Sequence, residues 1–206
     1  MPNRSFALLC AVPLLLATPA AAADFTGPWV EARGGFDSVQ LKATDNGVSA
    51  SGSRSGFLYG GAAGYDFSIG RKVIAGVQIG VYGTTAKACS EVYGLDEACL
   101  KAGRDLEALA RLGVNVSSST LIYGLAGYAN GRATISYVDF ERILPNFSSS
   151  GNEDGLRVGA GVEQAYGKTY AKLEYRYTAY RKEDLGFGAN IGFNRHQVLV
   201  GAGYRF

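Results

Sequence analysis

Eight stretches of this chain alternate between two kinds of side chain, and on each stretch one of the two sets carries no charge. A period of two residues marks a strand with two different faces. In the first stretch Val30, Ala32, Gly34 and Phe36 alternate with Glu31, Arg33, Gly35 and Asp37. In the second, Phe57, Tyr59, Gly61, Ala63, Tyr65 and Phe67 stand against Leu58, Gly60, Ala62, Gly64 and Asp66. The third sets Val73, Ala75, Val77, Ile79 and Val81 against Gln78, and the fourth sets Leu106, Ala108, Ala110, Leu112 and Val114 against Glu107, Arg111 and Asn115. In the fifth, Leu121, Tyr123, Leu125, Gly127 and Ala129 are read as the apolar face, opposite Gly124, Asn130 and Arg132. The sixth opposes Leu156, Val158, Ala160 and Val162 to Arg157, Gly159, Gly161 and Glu163. The seventh opposes Ala171, Leu173, Tyr175 and Tyr177 to Lys172, Glu174 and Arg176. The last, "HQVLVGAGYRF", places Val198, Val200, Ala202, Tyr204 and Phe206 against Arg195, Gln197 and Arg205. The fourth stretch, "DLEALARLGV", would also suit a short helix; its flanks and strict alternation favour a strand.

The connections between these stretches alternate in length. "SVQLKATDNGVSASGSRS", the segment from Gly83 to Arg104, "DFERILPNFSSSGNED" and "RKEDLGFGAN" are long; "SIGRK", "SSS" and "YGK" are short. Long and short connections then fall at opposite ends of an up-and-down sheet, and an even strand number puts both termini at the short-turn end. The expected fold is all-β: an eight-stranded antiparallel up-and-down β-barrel in which the last stretch pairs with the first, near Trp29 to Phe36.

Alternation alone does not say which face is inside. An eight-stranded barrel has an interior just wide enough for side chains to fill. Glycines leave room there, and charges of both signs can pair. A charge facing lipid near mid-bilayer costs about 2–4 kcal/mol, and the apolar faces contain none. The transmembrane reading therefore places Glu31, Arg33, Asp66, Glu107, Arg111, Arg157, Glu163, Lys172, Glu174, Arg176 and Arg205 in the lumen as a charge network. Tyr59, Tyr65, Phe67, Tyr175, Tyr177, Tyr204 and Phe206 suit interfacial girdles, with apolar bodies and, on the tyrosines, wet tips. The competing reading is a soluble, lipocalin-like barrel with the aromatic residues inside.

The amino end supports export. Arg4 precedes an apolar run from Phe6 to Ala17, and Ala21 and Ala23 form an A-x-A site before Asp24. Residues 1–23 read as a secretory signal peptide and 24–206 as the barrel domain. Cys10 lies inside the apolar run and does not mark a lipoprotein. Beyond it, Cys89 and Cys99 stand in a compartment that permits oxidation, and a loop disulfide fits their spacing. With no histidine nearby and no CxxC spacing, a metal site is disfavoured, and no cofactor is expected. The net charge of +2 gives no basis for nucleic-acid binding.

"GPWVEARGGFD", "GLRVGAGVEQAYGKTYAKLEYRYT" and "HQVLVGAGYRF" together resemble the small eight-stranded outer-membrane β-barrels of Gram-negative bacteria, the OmpA-barrel and opacity-protein-like "porin family" group. The likeness covers nearly the whole of 24–206. It implies an outer-membrane protein with both termini periplasmic and four extracellular loops. It implies that Tyr204 and Phe206 form the signal read by the outer-membrane insertion machinery. Its partners would be outer-membrane lipid, lipopolysaccharide, and host or other surface ligands. No periplasmic peptidoglycan-binding domain is read after the barrel. The function implied is structural and surface-interacting rather than enzymatic. The alternatives are a narrow pore, or a lipid-A-modifying enzyme using His196 or the carboxylates Glu163 and Glu174.

Overall fold

The computed structural model describes residues 24–45, 48–92, 96–139, 147–181, 183–184 and 189–206. The proposed signal peptide lies outside the described residues. Ten strands follow in chain order: β1 (Gly27–Asp45), β2 (Val48–Ile69), β3 (Val73–Thr84), β4 (Lys87–Val92), β5 (Asp96–Asn115), β6 (Thr120–Asp139), β7 (Phe147–Tyr166), β8 (Thr169–Tyr180), β9 (Glu183–Asp184) and β10 (Ala189–Arg205). Eight of them close a barrel in the order β1-β2-β3-β5-β6-β7-β8-β10, and β10 pairs back onto β1. β4 pairs with β5 beyond β3, and β9 pairs with β10 beyond β8. Every pairing is antiparallel. The stretch "DLEALARLGV" is strand, not helix.

The closing seam runs from Trp29↔Arg205 to Asp45↔Ala189. A closed sheet satisfies its backbone internally and leaves no edge, which is what a lipid environment demands.

One end of the barrel is trimmed tightly. β2 and β3 turn through Gly70, and β7 and β8 turn through Gly167; both glycines have positive φ (87° and 66°), which L side chains rarely adopt. β5 and β6 turn through Val116–Ser119, where Val116 N–H donates to Thr120 O at 3.0 Å. Further backbone bonds join neighbouring strands around this rim: Asn115 N–H to Lys72 O (2.8 Å), Ala165 N–H to Ser119 O (2.8 Å), Arg205 N–H to Lys168 O (2.7 Å) and Phe206 N–H to Pro28 O (3.0 Å). Both ends of the barrel chain arrive here. Asp24, just before β1, accepts the Thr26 amide (2.9 Å) and hydroxyl (2.6 Å), which hold its carboxyl below its ordinary range.

The opposite end extends much further than the alternating stretches suggest. Much of "SVQLKATDNGVSASGSRS" is not loop. β1 continues to Asp45, and β2 begins at Val48. The cysteine-bearing connection is largely the β4–β5 hairpin, in which Cys89 and Cys99 are direct cross-strand partners joined by a disulfide. β7 starts at Phe147, inside the segment read as a long connection. The physical reason is simple. Once a strand leaves lipid, nothing requires an apolar outer face, so the pairing continues after the pattern has stopped.

The outer wall is apolar between two aromatic levels. Tyr65, Phe67, Tyr166, Tyr204 and Phe206 are exposed near the tight turns, and Phe36, Phe57, Tyr59, Tyr128 and Tyr175 are exposed toward the other end. On β2, Phe57 and Phe67 are ten residues apart. That is about 33 Å along a strand and, at a tilt of about 40°, roughly 25 Å of height, the thickness of an outer-membrane apolar belt. Between these levels the wall presents Val77, Ile79, Leu112, Val158, Leu173 and Val200.

One strand faces the other way from its sequence reading. On β6 it is Ile122, Gly124, Ala126 and Tyr128 that face out, while Leu121, Tyr123, Leu125 and Ala129 are buried. Neither face of this stretch carries a charge below Asn130, nor an amide such as the Gln78 that marks the inner face of β3, so the rule that sorted the other strands had nothing to act on. Neighbours decide instead: Leu125 pairs with Arg111 of β5, and Ile122 pairs with Val162 of β7. Directly paired residues share a face.

Candidate functional site: a charged lumen

Alternation on each strand delivers one residue in two to the barrel interior. There, two kinds of filling occur. Near the tight-turn end apolar and aromatic side chains, Phe25, Trp29, Ile74, Leu121, Tyr123 and Tyr170, pack around the lowest of the ion pairs. Through the rest the lumen is ionic. All eleven charged residues assigned to the lumen network from sequence are buried, as is Arg195, read on the charged face of the last stretch, and Asp37 and Asp105 lie there with them. Among the described residues the buried set is seven carboxylates and seven cations. The network is therefore neutral, and a neutral network can be taken out of water only if its members are closely paired.

The pairs fall into three connected layers. Lowest is a ring of four. Arg111 from β5 donates to Asp66 Oδ1 (2.6 Å) and to Glu163 Oε2 (3.1 Å). Arg205 from β10 donates to the same carboxylates, to Asp66 Oδ2 (2.7 Å), which Arg111 also reaches, and to Glu163 Oε1 (2.8 Å), and it donates further to Phe25 O (2.8 Å). Charges alternate around this ring, so no member faces only its like. The Arg111 guanidinium also lies over Trp29 and Tyr123, about 5 Å from each ring centre.

The middle layer joins β1, β3, β5, β6 and β8. Glu31 holds Arg33 and, at 2.5 Å, Lys172 Nζ, while Tyr170 donates to it at 3.1 Å. Arg33 donates to Tyr82 Oη (2.8 Å), which donates to Glu107 Oε1 (2.9 Å). Glu174 is held by Arg176 and by the Tyr123 hydroxyl (2.6 Å). Glu107 links upward: its Oε2 accepts from Arg176 (2.6 Å) and from Arg157 (2.7 Å). In the upper layer Arg157 reaches Asp105 (2.7 Å) and Thr178 (2.8 Å), and Arg195 grips Asp37 with two bonds of 2.6 Å. Arg195 also reaches Asp105 at 3.0 Å.

Sequence reasoning missed Asp105 as a member, although it lies two residues before Glu107 on the same face. It also missed the aromatic hydroxyls of Tyr82, Tyr123 and Tyr170. The residues considered for catalysis are dispersed. Glu163 belongs to the lowest ring and Glu174 to the middle layer, each bound to guanidinium groups. His196 lies on the outer wall, its Nδ1 2.7 Å from the Tyr175 hydroxyl and its ring against Tyr177. Tyr204 and Phe206 face outward and pack edge to face, 5.2 Å between centres.

A closed antiparallel barrel of eight strands, charged within and chargeless around its waist, is the architecture of a transmembrane β-barrel. Residues 7–206 match the family described as outer membrane protein beta-barrel domain. The chain belongs to that family, and its place is the bacterial outer membrane. It is similar to the 31 kDa outer-membrane immunogenic protein of Brucella melitensis, 27% identical over 213 residues, covering 92% of this chain and 87% of that protein. Among solved structures it resembles Neisserial surface protein A, with a TM-score of 0.52, 20% identity, and coverage of 88% of this chain and 98% of that one. It also matches Ail, the attachment invasion locus protein of Yersinia pestis, with a TM-score of 0.45, 18% identity, and coverage of 88% and 99%. At 20% identity the likeness to Neisserial surface protein A is one of fold alone.

Proposed function

We propose that this protein is a sealed, non-catalytic barrel with both termini in the periplasm, which reinforces the envelope and carries a stiff β-extension for contacts at the cell surface. The observation that carries the reading is the three-layer ion-pair network. It fills the lumen with charges of opposite sign in close pairs, each buried carboxylate named above held by at least one cation. An eight-stranded wall encloses no more than such a filling. The strands that run on past the upper aromatic level hold the exposed end in a paired, ordered form, and the Cys89–Cys99 bond fastens part of it. The similar Brucella protein is named for immunogenicity, which fits an extension displayed outward. Outer-membrane lipid and lipopolysaccharide surround the belt, and Tyr204 and Phe206 serve as the address read by the insertion machinery.

The test uses a strain lacking the protein, complemented with the full chain or with a chain whose residues 87–101 are replaced by a short turn. Both should restore resistance to bile-salt detergents, while only the full chain should restore attachment to host cells or matrix. If deletion leaves detergent resistance unchanged, the envelope role fails. If the trimmed chain restores attachment, the surface role of this hairpin fails.

A further inference from the structure

Above the upper aromatic level the outer face of the sheet is charged on one side of the barrel only. On β2, β1 and β10 the outward residues at that height form two cross-strand rows, Ser55–Ser38–His196 and Ser53–Gln40–Asn194, with no lysine, arginine or carboxylate. On β4, β5 and β6 the residues at the same height are Lys87, Lys101, Arg104 and Arg132, all exposed. Ala86, Ala102 and Ala133 turn into the barrel mouth. Successive side chains alternate, so Lys87, Lys101 and Arg132 turn away from it. Glu153, paired with Gly131, belongs to the mouth side.

A bulge completes the group. The β5–β6 register breaks between Ala102 and Asp105, so Gly103 and Arg104 together stand against Arg132. Strict alternation from Ala102 would point Arg104 into the barrel and Asp105 out of it. The extra residue reverses both: Asp105 joins the upper ion-pair layer, and Arg104 is exposed. A Cβ on Gly103 would come within 3.1 Å of Arg132 O and 3.4 Å of its Cβ, so the glycine leaves Arg132 room. Arg104 reaches over β6, its Nη2 donating to Asn152 Oδ1 at 3.4 Å, and Asn152 is the direct partner of Arg132. Lys87 and Lys101 are direct partners of each other. Like charges placed opposite one another destabilise a sheet. Among the described residues none of these four cations takes part in an ion pair. Asp154, one row nearer the lipid, is held by Tyr128 and by Asn130 (2.7 Å) and shares a groove with Arg181. The pair Glu91↔Glu97 lies four residues further out along the β4–β5 ladder.

Arg132 lies four residues beyond Tyr128 on β6. That is about 13 Å along the strand and, at a tilt of about 40°, roughly 10 Å of height above the aromatic level. An outward face at this height meets the head groups of the surrounding leaflet. In the outer leaflet of a bacterial outer membrane these are the phosphorylated sugars of lipopolysaccharide. Arginine grips phosphate with its planar fork, and lysine binds it as a point charge. We propose that the β4–β6 face holds one lipopolysaccharide molecule by its sugar phosphates, on Arg104 and Arg132 with Lys87 and Lys101 above them. Lipopolysaccharide is then bound on one side of the barrel instead of evenly around it. The inference rests on the reading above in which the tight turns are periplasmic.

The experiment titrates fluorescently labelled deep-rough lipopolysaccharide with the full mature chain folded in neutral detergent micelles, read by anisotropy. Saturable binding at one site is expected, weakening as salt rises. Arg104→Gln/Arg132→Gln should weaken it about twenty-fold, about five-fold for each cation. The same lipopolysaccharide stripped of phosphate should bind the unaltered protein as weakly. Arg54→Gln should bind as the unaltered protein does, because Arg54 is the direct partner of Val39 on the mouth side. Equal binding by the double variant, full binding of the stripped form, or displacement by phosphatidylglycerol at equal phosphate would overturn the proposal. Orientation is read separately, from labelling of Ser149→Cys in intact cells by a maleimide that does not cross membranes. Labelling without lipopolysaccharide binding would overturn this proposal alone. Labelling only after lysis would overturn the periplasmic placement of the termini, and the proposal with it.

Discussion

Arg205 donates to Asp66 Oδ2 at 2.7 Å across the lumen, tying the closing strand β10 to β2, a strand it does not touch in the sheet. The seam is thus fastened twice, by the β1–β10 backbone ladder and by side chains inside. Removing one partner of a buried pair typically costs about 3–5 kcal/mol. Arg205→Ala should fall toward the lower figure, because Arg111 still contacts both Asp66 and Glu163. The check is the urea midpoint in vesicles, together with the temperature at which the compact electrophoretic form is lost. An unchanged midpoint would mean that the ring contributes nothing to closure.

Phe206 behaves differently from its neighbour. Its side chain is 65% exposed on the outer wall, and its amide bond to Pro28 O is one backbone contact. Losing that bond costs about 1 kcal/mol. Deleting Phe206 should therefore leave the folded barrel nearly as stable while, on the proposed reading of this residue as an insertion address, slowing its assembly in cells. Pulse-chase assembly in cells and spontaneous folding into vesicles separate the two. Wild-type assembly in cells would remove the address reading.

These contrasts show what was legible in the sequence. The strand count and the lumen faces could be read wherever a charge marked one side, as Glu107 and Arg111 do on β5 or Lys172 and Glu174 on β8. They could not be read on β6, where Leu121 to Ala129 carries no charge on either face. Nor could strand length be read past the lipid, because Ser49 to Ser55 pair with β1 without needing an apolar side. Composition suggested the ion network, but its connectivity depends on distances across the barrel that no local spacing encodes. Gly64 shows the same limit: a Cβ there would collide with the indole of Trp29, its direct partner in the β1–β2 register, a pairing that spacing along the chain does not give.

The Cys89–Cys99 bond spans ten residues of the β4–β5 hairpin, outside the lipid belt. A ring of that size constrains the open chain by roughly 2–3 kcal/mol. Reduction, or Cys99→Ser, should loosen the hairpin without touching the barrel. Protease sensitivity between Lys87 and Lys101 should rise after reduction while the urea midpoint of the barrel stays put. A parallel fall in the barrel midpoint would show that the extension and barrel unfold as one unit.

The orientation of β6 has a direct test. Ala126 is exposed on the outer wall, paired with Ala110 and Val158. A lysine there would face acyl chains, at a cost of about 2–4 kcal/mol near mid-bilayer and less toward the interfaces. Ile79→Lys on β3 supplies the reference, since Ile79 is 65% exposed and its strand faces the same way in sequence and structure. The opposite facing of β6 would bring the introduced ammonium among the lumen carboxylates, where it would find partners and cost little. Both Ala126→Lys and Ile79→Lys should lower the urea midpoint in phosphatidylcholine vesicles, Ile79→Lys by more because it also removes an isoleucine side chain from the acyl chains. A neutral Ala126→Lys beside a destabilised Ile79→Lys would reverse the strand.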